Sequence, residues 1–453
     1  MIFVLDRLFM RLPYPHTCPE RSRRAPILKT ITLFVLLTLS SCGGDQATPS
    51  APPAVTIIAP TGSSALPVVG VTIVAPSAAP DQPTALPEQV IGPETYPPGI
   101  NPLTGLAIDP AKANRRPLAI KVSNFPRYIR PQFGLSLADV VFEHYAEGGT
   151  TRFTAVFYGN DADKVGPIRS ARLIDTVIPE MFKAALVASG SSTGVVQRLS
   201  YKDWFDIIVS ERTGYACPPL CRESEDTNSL YSSTTAIHQA MRDKGVDDSV
   251  QPQRGVAFLN TPPAGGVPGT TIRVDFSGEA HSEWRYNAVS GKYERWSDTS
   301  ATEMQAHFDA LTNQPIDAAN VIVLFVNHVV DFSIPEDFDT DGFTGHFSTE
   351  IQLWSTGPAW LFRDGQGFLA TWVRLDKGDM VGLVNSQNHI IPFKPGNTWY
   401  EVVGLYSDQT NNGADWYARH KSPVDKGEIP GVPTPTPTVE GATAEVPTET
   451  PTP

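Results

Sequence analysis

Proline sets the outer limits of what this chain can fold. Its 453 residues include 42 prolines, gathered near the two ends. Proline fixes φ and lacks an N–H, so proline-dense segments cannot run through helix interiors or central strands. Residues 42–98 are rich in Pro, Ala, Thr and Ser and carry no charge between Asp45 and Asp81. Within them Val55-Thr-Ile-Ile-Ala-Pro60 returns as Val71-Thr-Ile-Val-Ala-Pro76. This composition predicts an extended linker. Residues 426–453 predict a disordered Pro/Thr/Glu tail. The stretch between, about 99–425, is long enough for two domains.

The start predicts a secretory leader over residues 1–41. Arg21, Arg23, Arg24 and Lys29 precede an apolar run at 31–39, which is far below the ~20 residues that span a bilayer. The run ends in Leu39-Ser-Ser-Cys42, which resembles a bacterial lipobox, with Cys42 as the lipidated residue. The expectation is an extracytoplasmic protein held on the cell membrane by a lipid. Formal charge is −13, and removing residues 1–41 leaves 29 basic against 46 acidic side chains. So acidic a chain is not built to neutralise phosphates, which excludes nucleic acid as a partner. Cys18 falls in the leader, so Cys217 and Cys221 remain as a C-P-P-L-C pair. Outside the cytoplasm that spacing predicts a small-loop disulfide, and a zinc site would need further ligands nearby.

Hydrophobic patterning predicts an α+β fold. A mixed α/β part over 99–250 is followed by a mainly antiparallel β-rich part over 251–425. Residues 118–122 read as a strand, and 140–146 with 152–158 as a hairpin through Glu147-Gly-Gly-Thr150. Residues 135–139 read as a helical turn capped by Ser136. Ser170 is expected to cap a helix beginning at Ala171 and broken or kinked at Pro179. Residues 193–199 and 234–241 look helical. In the second part, strands are expected at 271–276, 283–286, 293–296, 320–328, 360–362, 368–374, 390–393 and 398–403, with a helix at 302–311.

Four motifs stand out: Asn101-Pro-Leu-Thr-Gly-Leu106, Arg130-Pro-Gln-Phe-Gly-Leu-Ser136, Glu147-Gly-Gly-Thr-Thr-Arg-Phe153 and Gly166-Pro-Ile-Arg-Ser-Ala-Arg172. With the looser Asn320-Val-Ile-Val323, Asp364-Gly365, Thr371-Trp372 and Pro395-Gly-Asn-Thr-Trp399, they make the chain resemble the YerB-like lipoproteins, the DUF3048 family. The resemblance spans about 100–405 and implies an N-terminal and a C-terminal part. It implies no established activity. Where relatives carry a His before a Gly-Gly-Ser run, this chain has Ala188-Ser-Gly-Ser-Ser192, so His chemistry does not carry over there.

Gly166–Arg172 is the strongest candidate site. Arg169 and Arg172 lie three apart beside an expected helix start, where free N–H groups favour anions. The guanidinium fork grips carboxylate or phosphate through two bonds. The competing reading is a structural network of these arginines with Asp139, Glu143 or Glu147. The candidate ligand-binding set is Arg130, Glu143, Glu147, Arg152, Arg169, Ser170, Arg172 and Ser192. Glu143 and Glu147 also form a candidate acid–base pair for a glycan-modifying enzyme. Asp337-Phe-Asp339-Thr-Asp341-Gly342 resembles the front of a calcium loop, but its twelfth position is Ser348 where Glu is expected. His144, His328 and His346 show no partner spacing. The aromatics Trp284, Tyr286, Tyr293, Trp296, Trp354, Trp360, Trp372 and Trp399 fit a core better than a sugar platform. The leading expectation is a tethered, non-enzymatic binding protein for an anionic small molecule, glycan or envelope component. The alternatives are a glycan-modifying enzyme and a protein-assembly partner.

Overall fold

The computed structural model describes residues 89–432. The leader, Cys18, Cys42, the repeated units at 55–60 and 71–76 and the tail beyond 432 lie outside the described residues.

The apolar runs of the first half form the spine of the molecule. Strands β1 (Leu118–Ser123), β2 (Val140–Tyr145) and β3 (Thr151–Phe157) are buried at every residue. Both of their faces are covered, which suits near-continuous β-branched and aromatic runs. The β2–β3 hairpin turns through Glu147, Gly148 and Gly149, all at positive φ. Next comes β4 (Ala185–Val187), parallel to β1. A short pair, β5 (Cys221–Arg222) and β6 (Leu230–Tyr231), follows the Cys217–Cys221 disulfide that the spacing predicted. The helices are α1 (Pro110–Ala113), α2 (Ile178–Phe182), α3 (Thr193–Ser200) and α4 (Thr234–Asp243), all before residue 250.

After residue 250 the described chain is strand and turn. It runs through β7 (Val267–Pro268), β8 (Thr271–Asp275), β9 (His281–Asn287), β10 (Lys292–Asp298), β11 (Met304–Ala306) and β12 (Asp317–Ala318). There follow β13 (Asn320–Val326), β14 (His328–Pro335), β15 (Thr344–Ile351), β16 (Ser355–Arg363), β17 (Gln366–Arg374) and β18 (Gly382–Val384). The last are β19 (Thr398–Gly404), β20 (Asp408–Asn412), β21 (Asp415–Arg419) and β22 (Lys426–Glu428).

These strands make one ten-stranded sheet in the order β18-β17-β16-β13-β19-β2-β3-β1-β4, with β7 added on β17. Strand β19 lies between β13 and β2 and is parallel to both. The two expected domains, 99–250 and 251–425, therefore share one sheet. Across this seam Phe142 stacks on Tyr400 at 4.4 Å. A seven-stranded sheet, β11-β10-β9-β8-β21-β20 with β12 on β10, covers one face. The core there joins Ile272, Val274, Trp284 and Tyr293 to Val323, Phe325 and Trp399. The other face is packed by Ile178, Met181 and Phe182 of α2 with Phe142, Ile322, Leu324 and Tyr400.

Several local expectations are corrected. The helix expected at 302–311 is absent: Met304–Ala306 pairs with β10 as β11. The buried Asp309 carboxylate then accepts from the backbone N–H of Gly134, Ser136 and Leu311, which holds a turn there. Tertiary pairing has overridden helix propensity. Ser136 is accordingly a donor to Asp309, and its 3-10 turn Leu135–Leu137 starts from Gly134 at φ 85. Ser170 caps no helix. A 3-10 turn, Leu173–Thr176, starts from Arg172, whose N–H bonds Asp175. Pro179 opens α2 and does not break it, a place where its missing N–H costs nothing. Residues 390–393 make isolated bridges only. The linker ends before 98, since Ile91 N–H bonds Phe258 at 2.9 Å and the Tyr96 hydroxyl bonds Val256 at 2.6 Å. The tail starts later than 426, because β22 pairs with β15.

Candidate functional site

Strand alternation sends neighbouring residues to opposite faces. At one end of the central sheet it places charge on both faces. Val122, Phe153, Glu143 and Glu401 stand in one cross-strand row. Lys121, Thr154, His144 and Arg152 point to the opposite side.

On the first face, Arg295 from β10 meets Glu143 at 2.6 Å. Asn124 and Thr151 donate to the other Glu143 oxygen at 3.1 and 2.9 Å. Arg295 has no acceptor atom, so it donates to His307 Nδ1 at 2.6 Å, and His307 Nε2–H donates to Gln132 at 2.7 Å. Burial, then Arg295, holds His307 well below the usual imidazole range. Glu401 accepts from Ser282 and from the Trp284 indole, each at 2.7 Å. Burial, then the Glu143 charge, pushes Glu401 up to about 8. At neutral pH it is therefore a carboxylic acid, and one cation faces one anion. Glu143, Arg295, His307 and Glu401 are all buried, so this face is a sealed structural network.

On the second face, Lys121 reaches Asp175 at 2.8 Å, Thr154 at 2.9 Å and His144 Nε2 at 2.6 Å. The His144 Nδ1–H donates to the Tyr145 carbonyl at 2.8 Å, leaving Nε2 to accept from the ammonium. Burial pulls Lys121 down to about 8, against the opposing pull of Asp175.

Beside this pair stand Arg152, Arg169 and Arg172. Arg172 is spent structurally: it pairs with Glu147 at 2.6 Å and Glu336 at 3.2 Å. Glu147 also accepts from Thr349 N–H at 3.0 Å. Glu336 accepts from the hydroxyls of Ser192, at 2.9 Å, and Ser348. Ser192 thus precedes α3 without capping it. Arg152, 9% exposed, donates to the Ser170 carbonyl at 2.6 Å. Arg169 donates to the Thr227 carbonyl at 3.4 Å, and its Nε is buried without a partner. Neither Arg152 nor Arg169 has an ion-pair partner among the described residues. Burial first, then Arg172 and Arg169, pulls Arg152 well below its ordinary value. Three guanidinium groups are crowded where two carboxylates form ion pairs with only one of them.

The loops around them are permissive. Gly148 and Gly149 follow Glu147, and Gly190 sits at φ 142. A cavity of about 200 Å³ adjoins them, walled by Ala171, Ala188, Gly190, Ser191 and Arg212. Neither Arg152 nor Arg169 is in its wall.

The remaining predicted residues are elsewhere. Arg130 pairs with Asp298 at 3.2 Å and lies over Phe125, tying the two sheets together. Glu143 and Glu147 are each bound to a different arginine and are not brought together across a groove. The acidic loop does not gather a cation site: Asp337 bonds His346, Asp339 pairs with Lys426 at 2.8 Å, and Asp341 accepts from Phe343 and Thr344 N–H. Among the described residues no cluster of His, Cys, Asp and Glu could hold a metal. Trp284, Tyr293, Trp372 and Trp399 are core. Sequence reasoning missed Lys121, Asp175, Arg295, His307, Glu336 and Glu401. Their partners lie far away in sequence, and only a lysine inside an apolar strand hinted at one.

This mixed sheet, built from both parts of the chain, has known counterparts. Residues 103–247 match the family described as "Protein of unknown function (DUF3048) N-terminal domain". Residues 272–400 match the "Protein of unknown function (DUF3048) C-terminal domain". The chain belongs to this family. It is 30% identical over 312 residues to "Putative lipoprotein YerB" of Bacillus subtilis (strain 168), covering 67% of this chain and 85% of that relative. The crystal structure of the YerB protein from Bacillus subtilis matches with a TM-score of 0.54 at 28% identity, over 68% of this chain and 97% of that one. No helix among the described residues is long and apolar enough to cross a membrane.

Proposed function

We propose that this chain is a lipid-anchored, extracytoplasmic binding protein that receives an anionic ligand at Arg152 and Arg169. The anchor reading rests on the leader, on Cys42 and on a relative described as a lipoprotein. The ligand reading is carried by one observation: two arginines, one nine-tenths buried, stand together with no carboxylate in ion-pair contact among the described residues, while a third pairs with both nearby acids. A protein that needed these groups only for stability would be expected to pair each of them directly, not to leave them with the more distant attraction of Glu147, Glu336 and Asp226. Ser170, Ser189 and the Gly190 loop supply hydroxyls and close backbone approach beside them. Arg172, Glu147, Glu336 and Ser192 act here as the frame that holds the loops in place.

The test uses the full chain and inorganic phosphate and citrate as probes in calorimetric titration. Arg169→Ala is expected to weaken binding by roughly tenfold to a hundredfold, the scale of a charged hydrogen bond. Its melting temperature should stay level or rise, because mutual repulsion among the arginines is relieved. A melting temperature that falls together with binding would return Arg169 to a structural role. Retained affinity in Arg169→Ala would remove the site.

A further inference from the structure

A second place in the molecule has the opposite electrostatic character. A cavity of about 750 Å³ opens between the β17–β18 end of the central sheet and the β20–β21 hairpin of the other sheet. Its lining includes no charged side chain, although the chain carries 83 Asp, Glu, Lys and Arg residues, from 35 basic and 48 acidic. The floor is apolar: Trp360 and Trp416, each 4% exposed, lie beneath the more open Val267, Leu369 and Ile390. Trp360 and Trp416 meet edge to face at 5.1 Å, and Phe362 braces Trp416 at the same distance. Gly367 makes this possible: a Cβ there would stand 2.8 Å from the Trp416 ring. The Trp416 indole N–H is used on the Pro268 carbonyl at 3.0 Å. That of Trp360 has no partner among the described residues, and Trp360 lines the cavity.

The rim is made of neutral hydrogen-bonding groups. Gln409, Thr410 and Asn411 lie on β20, exposed along its whole length. Ser386 and Gln387 sit in the turn after β18. The side chains of Gln387, Gln409 and Asn411 make no hydrogen bond among the described residues. Each amide offers two donors and an acceptor. Apolar floors with a few convergent polar groups are the usual form of a ligand cleft, and this volume is in their range.

We infer that this cleft is a binding subsite for a neutral oligosaccharide. A sugar ring presents an apolar C–H face and a periphery of hydroxyls, which matches an apolar wall of Val267, Leu369 and Ile390 edged by amides, with the Trp360 N–H reaching the cleft from behind. Absence of charge in the lining disfavours phosphorylated or uronic chains, which the arginine site would suit instead. The two sites share no residue, so this inference does not depend on the anionic-ligand reading.

The full-length protein is titrated with triacetylchitotriose and with maltotriose, followed by tryptophan fluorescence and saturation-transfer NMR. At least one oligosaccharide should bind saturably. Trp360→Phe keeps the ring and removes the free N–H, and should weaken binding about fivefold. Gln409→Ala with Asn411→Ala changes only exposed side chains and should weaken it by a similar or larger factor. The inference fails if neither sugar binds saturably. It fails equally if the rim substitutions leave affinity unchanged, or if a neutral tripeptide pairing with the open edge of β20 binds in place of both sugars.

Discussion

Burial first, then the neighbouring anion Glu143, pushes Glu401 up to about 8, because Arg295 is committed to that anion. The consequence has a definite sign. Between the ordinary carboxylate range and about 8, the folded protein binds a proton that the unfolded chain has released. Stability therefore falls as pH rises through this window. Lys121 acts in the opposite sense above about 8, where the folded protein has lost a proton that the unfolded chain still holds. Glu401→Gln should flatten the decline between pH 5 and 8, read as melting temperature against pH. A slope unchanged from the parent would show that Glu401 is ionised throughout. At this scale the sequence conveyed little. The three-residue spacing of Arg169 and Arg172 suggested a shared anion, but helical spacing has no meaning where the backbone is a loop and a 3-10 turn. The pairing of Glu147 with an arginine was legible as the structural alternative, whereas Glu336, far off in sequence, was not; together they decide which arginine is left without an ion pair.

Elements were more legible where periodicity is enforced by burial. The hairpin at β2 and β3, the apolar run of β13 and the β16–β17 hairpin around Asp364-Gly365 fall where alternation and turn residues put them. The failure at 302–311 has a clear cause. Residues 302–311 pass as a helix candidate in isolation, while in the fold the segment is held by β10 on one side and by the Asp309 carboxylate on the other. Asp309 is 0% exposed and serves three backbone N–H groups from two separate segments. Asp309→Ala leaves these donors buried and unmatched, so it should cost about 3 kcal/mol or more in urea unfolding. A loss below about 1 kcal/mol would mean that water replaces the carboxylate.

The whole molecule is organised by the seam at which β19 lies between β13 and β2. The family boundary near residue 250 divides the sequence into two matched regions, but the hydrogen bonding does not respect it. A fragment covering 89–250 would expose the entire edge of β2 and the Phe142 ring that stacks on Tyr400. It should fail to give a dispersed amide spectrum alone, and adding a fragment of 251–432 should restore dispersion. A well-folded isolated fragment would show that the seam is a docking contact between two separately stable bodies. Patterning identified each strand here, but register and neighbour across such a distance leave no local trace.

That same seam governs timing. Strand β19 is among the last to emerge during synthesis, yet its place is at the middle of the sheet, beside a strand made near the beginning. Contacts of such long separation slow folding, since the intervening loop must be closed before they form. Until residues 398–404 arrive, the early strands present an open apolar edge, the kind of surface that other chains pair with. The nascent polypeptide thus carries an unpaired apolar edge for as long as residues 398–404 are still to come.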